Sequence, residues 1–226
     1  MEHGDHGVGM VTLTMFVRQE LNTATPFIPL RAFVQYPEMT WVNVQFMLVN
    51  LLFYTLFFGM PSYLQQVRHL DVAHTGMVML MLGLCSLVSS PVAGRWIGRS
   101  GPRPALIVSA MLMIIGSVLI VALDENSPIM NVILPLVIFG ISNGLNSVGM
   151  QAALFNHTPK EMIGVASGIF NTSRYMGTIL SSLLIGMVMG DSFSITGFQW
   201  LGVILMVLAV SLTLMTLRRQ HPTKLT

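Results

Sequence analysis

The sequence predicts an all-α membrane protein with six transmembrane helices and both termini in the cytoplasm. Only 9% of its 226 residues are charged and 53% are hydrophobic, whereas charged residues make up about 25% of an ordinary soluble domain. Six apolar stretches are each long enough to cross a bilayer, for which a helix needs about 20 residues. Basic residues cluster in the connections on one side of these stretches. The net charge of +2 is too small to indicate a nucleic acid partner.

The chain begins with an apolar run that is too short to be a transmembrane helix. Val8–Val17 has ten residues, about half of what a span needs. It also lacks the pattern of a secretory signal, because acidic residues precede it and Arg18 follows where small residues should mark cleavage. We therefore interpret residues 1–17 as the tail of a preceding helix and residues 18–40 as a cytoplasmic lead-in.

Six complete spans follow, and continuous apolar runs of this length predict helices. In chain order they are Trp41–Met60, Ala73–Gly94, Pro104–Leu123, Ile129–Met150, Met162–Gly190 and Gly197–Leu217. They make up a predicted transmembrane domain over residues 41–217, and residues 218–226 are a predicted cytoplasmic tail.

The orientation of the spans follows from the basic residues that flank them. Nine Lys and Arg residues lie before the first span, after the second, after the fourth and after the sixth, whereas the opposite side has only Arg68. Connections rich in Lys and Arg are retained in the cytoplasm. Both termini should therefore be cytoplasmic, as an even number of spans requires. The expected location is the plasma membrane, which in a bacterium is the inner membrane.

Polar side chains follow one face of three predicted helices. Such side chains cost free energy in hydrocarbon, so these faces should meet other helices or water. The three stripes are Asn43, Met47, Asn50, Tyr54 and Phe57 in the first span; Asn143, Asn146 and Met150 in the fourth, with Gln151 at its end; and Ser167, Asn171, Arg174, Thr178 and Ser181 in the fifth. Two interpretations stay open, namely hydrogen bonds between helices without any ligand, and the lining of a substrate cavity. The third and sixth spans are nearly all apolar and are expected at the periphery.

Arg174 needs an explanation of its own, because no Asp or Glu lies in any of the six spans. A guanidinium stays protonated, and at the centre of an isolated helix it costs at least about 2.5 kcal/mol. It is 12 residues from Met162, which is about 18 Å along a helix axis. We expect that its side chain either extends to the cytoplasmic surface or faces the interior beside Asn171 and Thr178. In the second case it would bond to backbone carbonyls or to an acid of another half.

Two small-residue patterns predict close helix packing, Gly140–Gly144 and Gly164–Gly168. Catalytic chemistry, in contrast, is not indicated anywhere in the spans. They contain no nucleophile–base pair and no cluster of metal ligands, and Cys85 is the only cysteine. We therefore expect neither an enzyme nor a metal or other cofactor.

The connection after the second span resembles the cytoplasmic signature of the major facilitator superfamily. Residues 94–103 read GRWIGRSGPR, which is similar to G-x-x-x-D-[RK]-x-G-x-[RK]. The matching positions are Gly94, Arg99, Gly101 and Arg103, and Gly98 stands in place of the acid. Residues 26–33 (PFIPLRAF) and 164–177 (GVASGIFNTSRYMG) look like the amphipathic lead-in and the penultimate helix of the fourteen-helix drug:proton antiporter branch.

This resemblance implies the C-terminal six-helix half of a transporter, in which the first, second, fourth and fifth spans border a central cavity. It implies efflux of a lipophilic small molecule driven by the proton gradient, in a lipid membrane and with a partner that is the N-terminal half or another six-helix unit. The carboxylate that carries a coupled proton must then lie in that partner or be absent. The cavity candidates are Asn43, Met47, Asn50, Tyr54, Asn143, Asn146, Met150, Asn171, Arg174 and Thr178. The alternatives are a non-transporting remnant or partner subunit, and uptake of a nutrient by the same fold.

Overall fold

The computed structural model of the protein describes residues 37–156, 158–189 and 194–218. Within these ranges the chain forms long helices and no strand. The helices are α1 (Pro37–Ser62), α2 (Val72–Ser100), α3 (Pro102–Val121), α4 (Ile129–Asn156), α5 (Ile163–Met189) and α6 (Ile195–Arg218). A π-helical turn, Tyr63–Val67, extends α1, and a short 3-10 turn, Lys160–Met162, leads into α5. The predicted helical character of all six apolar stretches is confirmed.

Other interpretations of the sequence fall outside the described residues. They concern residues 1–17 as the tail of a preceding helix, nearly all of the lead-in at residues 18–40, and the tail beyond residue 218. These stay predictions.

Five of the helical segments are long and apolar enough to cross a membrane: Pro37–Val67, Val72–Ser100, Pro102–Val121, Ile129–Asn156 and Ile195–Leu217. Helix α5 is 27 residues long but is not among them, because its stripe of Ser, Asn, Thr and Arg174 lowers its hydropathy. A polar face of this kind is stable within a bilayer only where protein or water covers it. The chain is thus an all-helical membrane protein in which α5 differs from its neighbours.

The helices pack in two groups, one of α2, α4, α3 and α6 and one of α1 and α5, and α1 joins the second group to the first. Helix α2 packs mainly against α4, which also packs against α3, and α3 in turn packs against α6. Helix α5 packs mainly against α1, and α1 also contacts α4 and α6. Leu52 and Met60 of α1, Met113 of α3 and Phe139 of α4 are fully buried in the apolar core that joins the two groups.

Glycines permit the closest approaches between helices. A Cβ atom at Gly140 of α4 would lie 2.5 Å from the carbonyl oxygen of Leu82 in α2, and one at Gly144 would lie 2.9 Å from the carbonyl oxygen of Ser86. The predicted close packing at Gly140–Gly144 is therefore confirmed. At Gly164 and Gly168 the described residues place nothing within 4 Å, so this pattern does not mediate packing among them.

One end of the bundle is held together by side chains that bond to backbone carbonyls. The Tyr63 hydroxyl donates to the Asp124 carbonyl at 2.8 Å, and its ring stacks on Phe198 of α6 with centroids 4.8 Å apart. Arg68 donates from Nη1 to the carbonyls of Glu125 and Ser127, each at 2.7 Å. Together these contacts, which we name the carbonyl clamp, tie the end of α1 to the α3–α4 connection. The predicted topology puts this end outside the cell.

Candidate functional site

A cleft of about 190 Å³ opens between α1, α4 and α5. It lies toward the end of α4 and the start of α5, which is the cytoplasmic side in the predicted topology. One part of its lining is polar and the other is apolar. The polar residues are Ser147, Gln151, Ser167, Asn171 and Arg174, and the apolar residues are Phe46, Val148, Leu154, Phe155 and Phe170. Arg174 is the only charged residue among the described residues of this lining.

Helical spacing explains how these side chains converge. Residues four or seven apart share one helix face, so Ser147 and Gln151 point the same way from α4. Ser167, Asn171 and Arg174 do the same from α5. The opposite side is formed by Phe46 of α1 and Phe170 of α5, whose rings stack with centroids 3.6 Å apart and planes within 8° of parallel. The cleft therefore joins an aromatic base to a polar rim.

Arg174 is anchored within its own helix. Its Nη2 donates to the Oδ1 of Asn171, whose Nδ2 in turn donates to the Ser167 carbonyl at 3.0 Å. The guanidinium carbon also lies 6.0 Å from the centre of the Tyr175 ring. Across the described ranges no carboxylate lies within ion-pair distance of it. The structure thus places Arg174 on the cleft beside Asn171, and the choice between its two expected positions in the membrane stays a prediction.

The predicted stripe of α1 straddles the contact with α5. Asn43 and Asn50 are buried, and each Nδ2 donates to the carbonyl four residues earlier, at 2.8 and 2.7 Å. The Oδ1 of Asn43 also accepts a hydrogen bond from the Ser173 hydroxyl at 3.2 Å. Met47 and Tyr54 lie on the more open side. The two Asn residues serve helix packing here, and contact of Met47 and Tyr54 with a substrate stays a prediction.

Three residues of the predicted α4 stripe face other helices, whereas Gln151 at its end lines the cleft. Asn143 donates to the Ser86 hydroxyl of α2 at 2.9 Å. Asn146 is 2% exposed and donates to the Ser109 hydroxyl of α3, and Met150 is also buried. None of the three is among the cleft-lining residues. Their contact with a substrate is a prediction that depends on residues beyond this chain.

Sequence reasoning missed several lining residues. Ser147 was not singled out, although it is four residues from Gln151, and this spacing is the signal that identified the other stripes. Phe46 and Phe170 carry no such signal, because an aromatic residue in an apolar span is usually part of the core. Thr178, a predicted cavity residue, donates its hydroxyl to the Arg174 carbonyl at 3.0 Å and does not line the cleft.

The predicted signature loop is mostly helical: α2 continues through Ser100, and α3 begins at Pro102. Only Gly101 forms the turn between the two helices. Gly101 has φ of 77° and its N–H donates to the Ile97 carbonyl at 2.8 Å. This backbone conformation favours glycine, which explains the glycine at that position of the motif. Arg99, Arg103 and Gly94 are exposed.

Comparisons with known proteins agree with this architecture. Residues 11–182 match a family described as Major Facilitator Superfamily. The chain is 40% identical over 217 residues to "Uncharacterized MFS-type transporter YwoD" of Bacillus subtilis, an alignment that covers 96% of this chain and 48% of that protein.

Two further relatives are more distant. "Uncharacterized MFS-type transporter YvkA" of Bacillus subtilis is 28% identical over 181 residues, which cover 80% of this chain and 40% of that protein. "Drug efflux pump JefA" of Mycobacterium tuberculosis is 26% identical over 193 residues, which cover 85% of this chain and 36% of that protein. The chain spans about half the length of these relatives or less.

Proposed function

Because the chain belongs to the major facilitator superfamily, we propose that it forms the C-terminal six-helix half of a drug:proton antiporter of the fourteen-helix branch. The family is one of membrane transporters, so transport across a membrane is the expected activity. The proposed direction is efflux, and the proposed substrates are hydrophobic or amphipathic small molecules. The name of the Mycobacterium relative, a drug efflux pump, supports this choice.

The observation that carries the proposal is the cleft between α1, α4 and α5. Its volume is about 190 Å³, whereas sites for drug-sized ligands measure roughly 300–1,000 Å³. Secondary transporters bind their substrates near the midplane, between two structural repeats. The cleft lies toward the cytoplasmic side in the predicted topology, and with its mixed lining it is proposed as the cytoplasmic part of one wall of such a site. The proposed second wall is the N-terminal half of the transporter or another six-helix unit.

The same partner accounts for the polar stripe of α5. We assign α5 as the fifth of six spans, with both termini in the cytoplasm of a cell whose inner membrane holds the transporter. Exposed Asn171 and partly exposed Arg174 would then face the second half and water, and not lipid. The stripe would cost little free energy in that position.

Coupling to protons is assigned to the partner. Within the described ranges the acidic residues lie only at helix ends and in connections, at Glu38, Asp71, Asp124, Glu125 and Glu161. A carboxylate that binds and releases a proton in transport is expected inside the bundle. The N-terminal half is therefore proposed to supply it.

Co-expression tests the proposal. The chain is expressed in an efflux-deficient bacterium alone, and together with the part of YwoD that the alignment leaves uncovered. We expect gradient-dependent efflux of lipophilic dyes only when both parts are present, and its loss with a protonophore. Efflux by the chain alone would instead support a homodimer of halves. No efflux in either case, with both parts present in the membrane, would favour a non-transporting remnant.

A further inference from the structure

We infer that the cleft recognises an aromatic acid, with the acid group on Arg174 and the ring between the stacked phenylalanines and α4. This inference rests on the proposed function, because it names the substrate class of that transporter. It departs from the lipophilic cations that many efflux assays use. Three features of the cleft carry it: its charge, the free donors of Arg174, and its size.

The charge of the cleft favours an anion. Among the residues that the structure describes, Arg174 is the only charged one in the lining, and it has no carboxylate partner. A guanidinium keeps its proton at any physiological pH. Screening by water is weaker in a cleft between apolar helices than in bulk solvent, so a cationic group would be repelled there and an anionic group attracted.

The guanidinium has unused donors for such a group. It carries five N–H donors arranged as a planar fork, and its described hydrogen bond goes to Asn171. That bond holds the side chain against α5 and leaves other N–H groups free to donate to the two oxygens of a carboxylate. Two parallel bonds of this kind are the strongest contact that Arg makes with a carboxylate. Gln151, on the facing helix, can donate a further bond from its amide.

The size of the cleft fits a ring with an acid group attached. An engineered cavity of about 150 Å³ holds a benzene molecule, and this cleft measures about 190 Å³. Phe46 and Phe170 stack on each other and are 5% and 8% exposed, so a ligand ring would pack on the small part of this aromatic pair that faces the cleft. An acidic side chain from another protein segment, like a lipid phosphate, would bring no ring to the apolar part of the lining. The aromatic acid is the ligand that uses both parts of the lining.

Binding of three naphthalene compounds to the purified chain tests the inference. They are 2-naphthoate, its neutral alcohol and its cationic methylamine, measured by calorimetry with the chain in nanodiscs of zwitterionic lipid. We expect 2-naphthoate to bind at least about tenfold more tightly than the other two, as a charge-assisted hydrogen bond of ordinary strength provides. The preference should disappear in Arg174→Gln and persist in part in Arg174→Lys. Lys160→Gln, which removes an exposed charge from the connection before α5, should keep it.

Other results would overturn the inference. Equal affinity for the three compounds would mean that Arg174 does not select an acid. Loss of 2-naphthoate binding when anionic lipid is added to the nanodiscs would mean that lipid headgroups fill the cleft. If an Arg174 variant loses its helical circular dichroism, Gln151→Leu is measured in its place. This variant should weaken the binding of 2-naphthoate but not the binding of the alcohol.

Transport by the co-expressed halves separates this inference from the proposed function. If acids, neutral compounds and cations are all exported with equal efficiency, and Arg174→Gln lowers the export of all three alike, the transporter stands and the acid preference is wrong. In that case Arg174 pairs with a carboxylate of the other half. If export is absent altogether while the purified chain still prefers 2-naphthoate, the proposed transport function is wrong and the inferred binding of an aromatic acid stands.

Discussion

The two ends of the bundle use arginine in different ways. At the end with the carbonyl clamp, Arg68 donates to two backbone carbonyls at 2.7 Å, so its donors have fixed acceptors within the fold. At the cleft, Arg174 donates to Asn171 of its own helix and faces open space. Arg68 therefore stabilises a connection between helices, whereas Arg174 retains bonding capacity for a group from outside. In a membrane protein, the acceptors around a polar residue distinguish these two roles better than its position in the sequence does.

The largest expected effect on stability comes from a substitution that separates α5 from α1 beside the cleft. A Cβ atom at Gly177 would overlap the Met47 carbonyl oxygen and lie 2.9 Å from the Asn50 Cβ. Gly177→Val should therefore destabilise the chain by about 1–3 kcal/mol or more, since overpacking against backbone cannot relax by a rotamer change. The cleft end should open while the carbonyl clamp stays formed. Thermal unfolding in detergent measures the loss.

Gly168→Val is the matched control for this change. It makes the same substitution in the same helix, but the described residues leave open space around Gly168. Its unfolding temperature should stay close to that of the unmodified chain. Equal destabilisation by both variants would show that helix propensity, and not the α1–α5 contact, sets the effect.

The second effect concerns transport by the co-expressed halves. Arg174→Lys keeps the charge but loses the planar fork of donors, and Arg174→Met keeps only an apolar stem. Both should lower export at normal expression if the fork carries the contact, by about tenfold in Arg174→Met and by less in Arg174→Lys. Thermal stability should change little, because Arg174 bonds only to its own helix among the described contacts. Unchanged export by both variants would mean that Arg174 merely extends to the membrane surface.

The sequence predicted the helices of this protein well and their contacts only in part. Runs of about 20 apolar residues have one stable form in a bilayer, so each predicted span falls on a helix. Periodicity shows that residues share a face, but it does not name the helix that the face meets. Asn143 and Asn146 therefore belonged to a correct stripe, yet they bond to α2 and α3.

The cleft was predictable at its polar rim and not at its aromatic base. Asn171 and Arg174 stand out because polar groups are costly in hydrocarbon, and the structure places both on the cleft. Phe46 and Phe170 are ordinary residues for an apolar span, and only tertiary packing stacks them. Likewise, Gly177 belongs to no pattern that distinguishes it from Gly164 or Gly168, since the spacing of glycines does not reveal which of them meets a neighbour.

A smaller effect is expected at the carbonyl clamp. Arg68→Lys can reach one of the two carbonyls but has no fork to bond both at once. The variant should lose about 0.5–1.5 kcal/mol of stability, the contribution of one hydrogen bond. Relative export of acidic, neutral and cationic compounds should not change, in contrast to the Arg174 variants. A shift in substrate preference caused by Arg68→Lys would break the distinction between the two ends.

The smallest effect is a dependence on pH at the start of α2, next to the carbonyl clamp. Asp71 caps this helix: its Oδ1 accepts the backbone N–H of His74 at 3.0 Å and contacts the His74 ring at 2.5 Å. These bonds, the backbone one foremost, lower the pKa of Asp71 below its ordinary value of 3.8. A carboxyl whose pKa is lowered on folding stabilises the fold above its unfolded pKa, and this contribution is lost as the pH falls through the folded pKa.

Asp71→Asn keeps an N-capping side chain without the titration. The difference in unfolding temperature between the unmodified chain and Asp71→Asn should therefore be largest at neutral pH and shrink below pH 3.8, while the other carboxyl groups cancel in the comparison. A difference that stays constant across this range would show that the charge of Asp71 contributes nothing to the helix start.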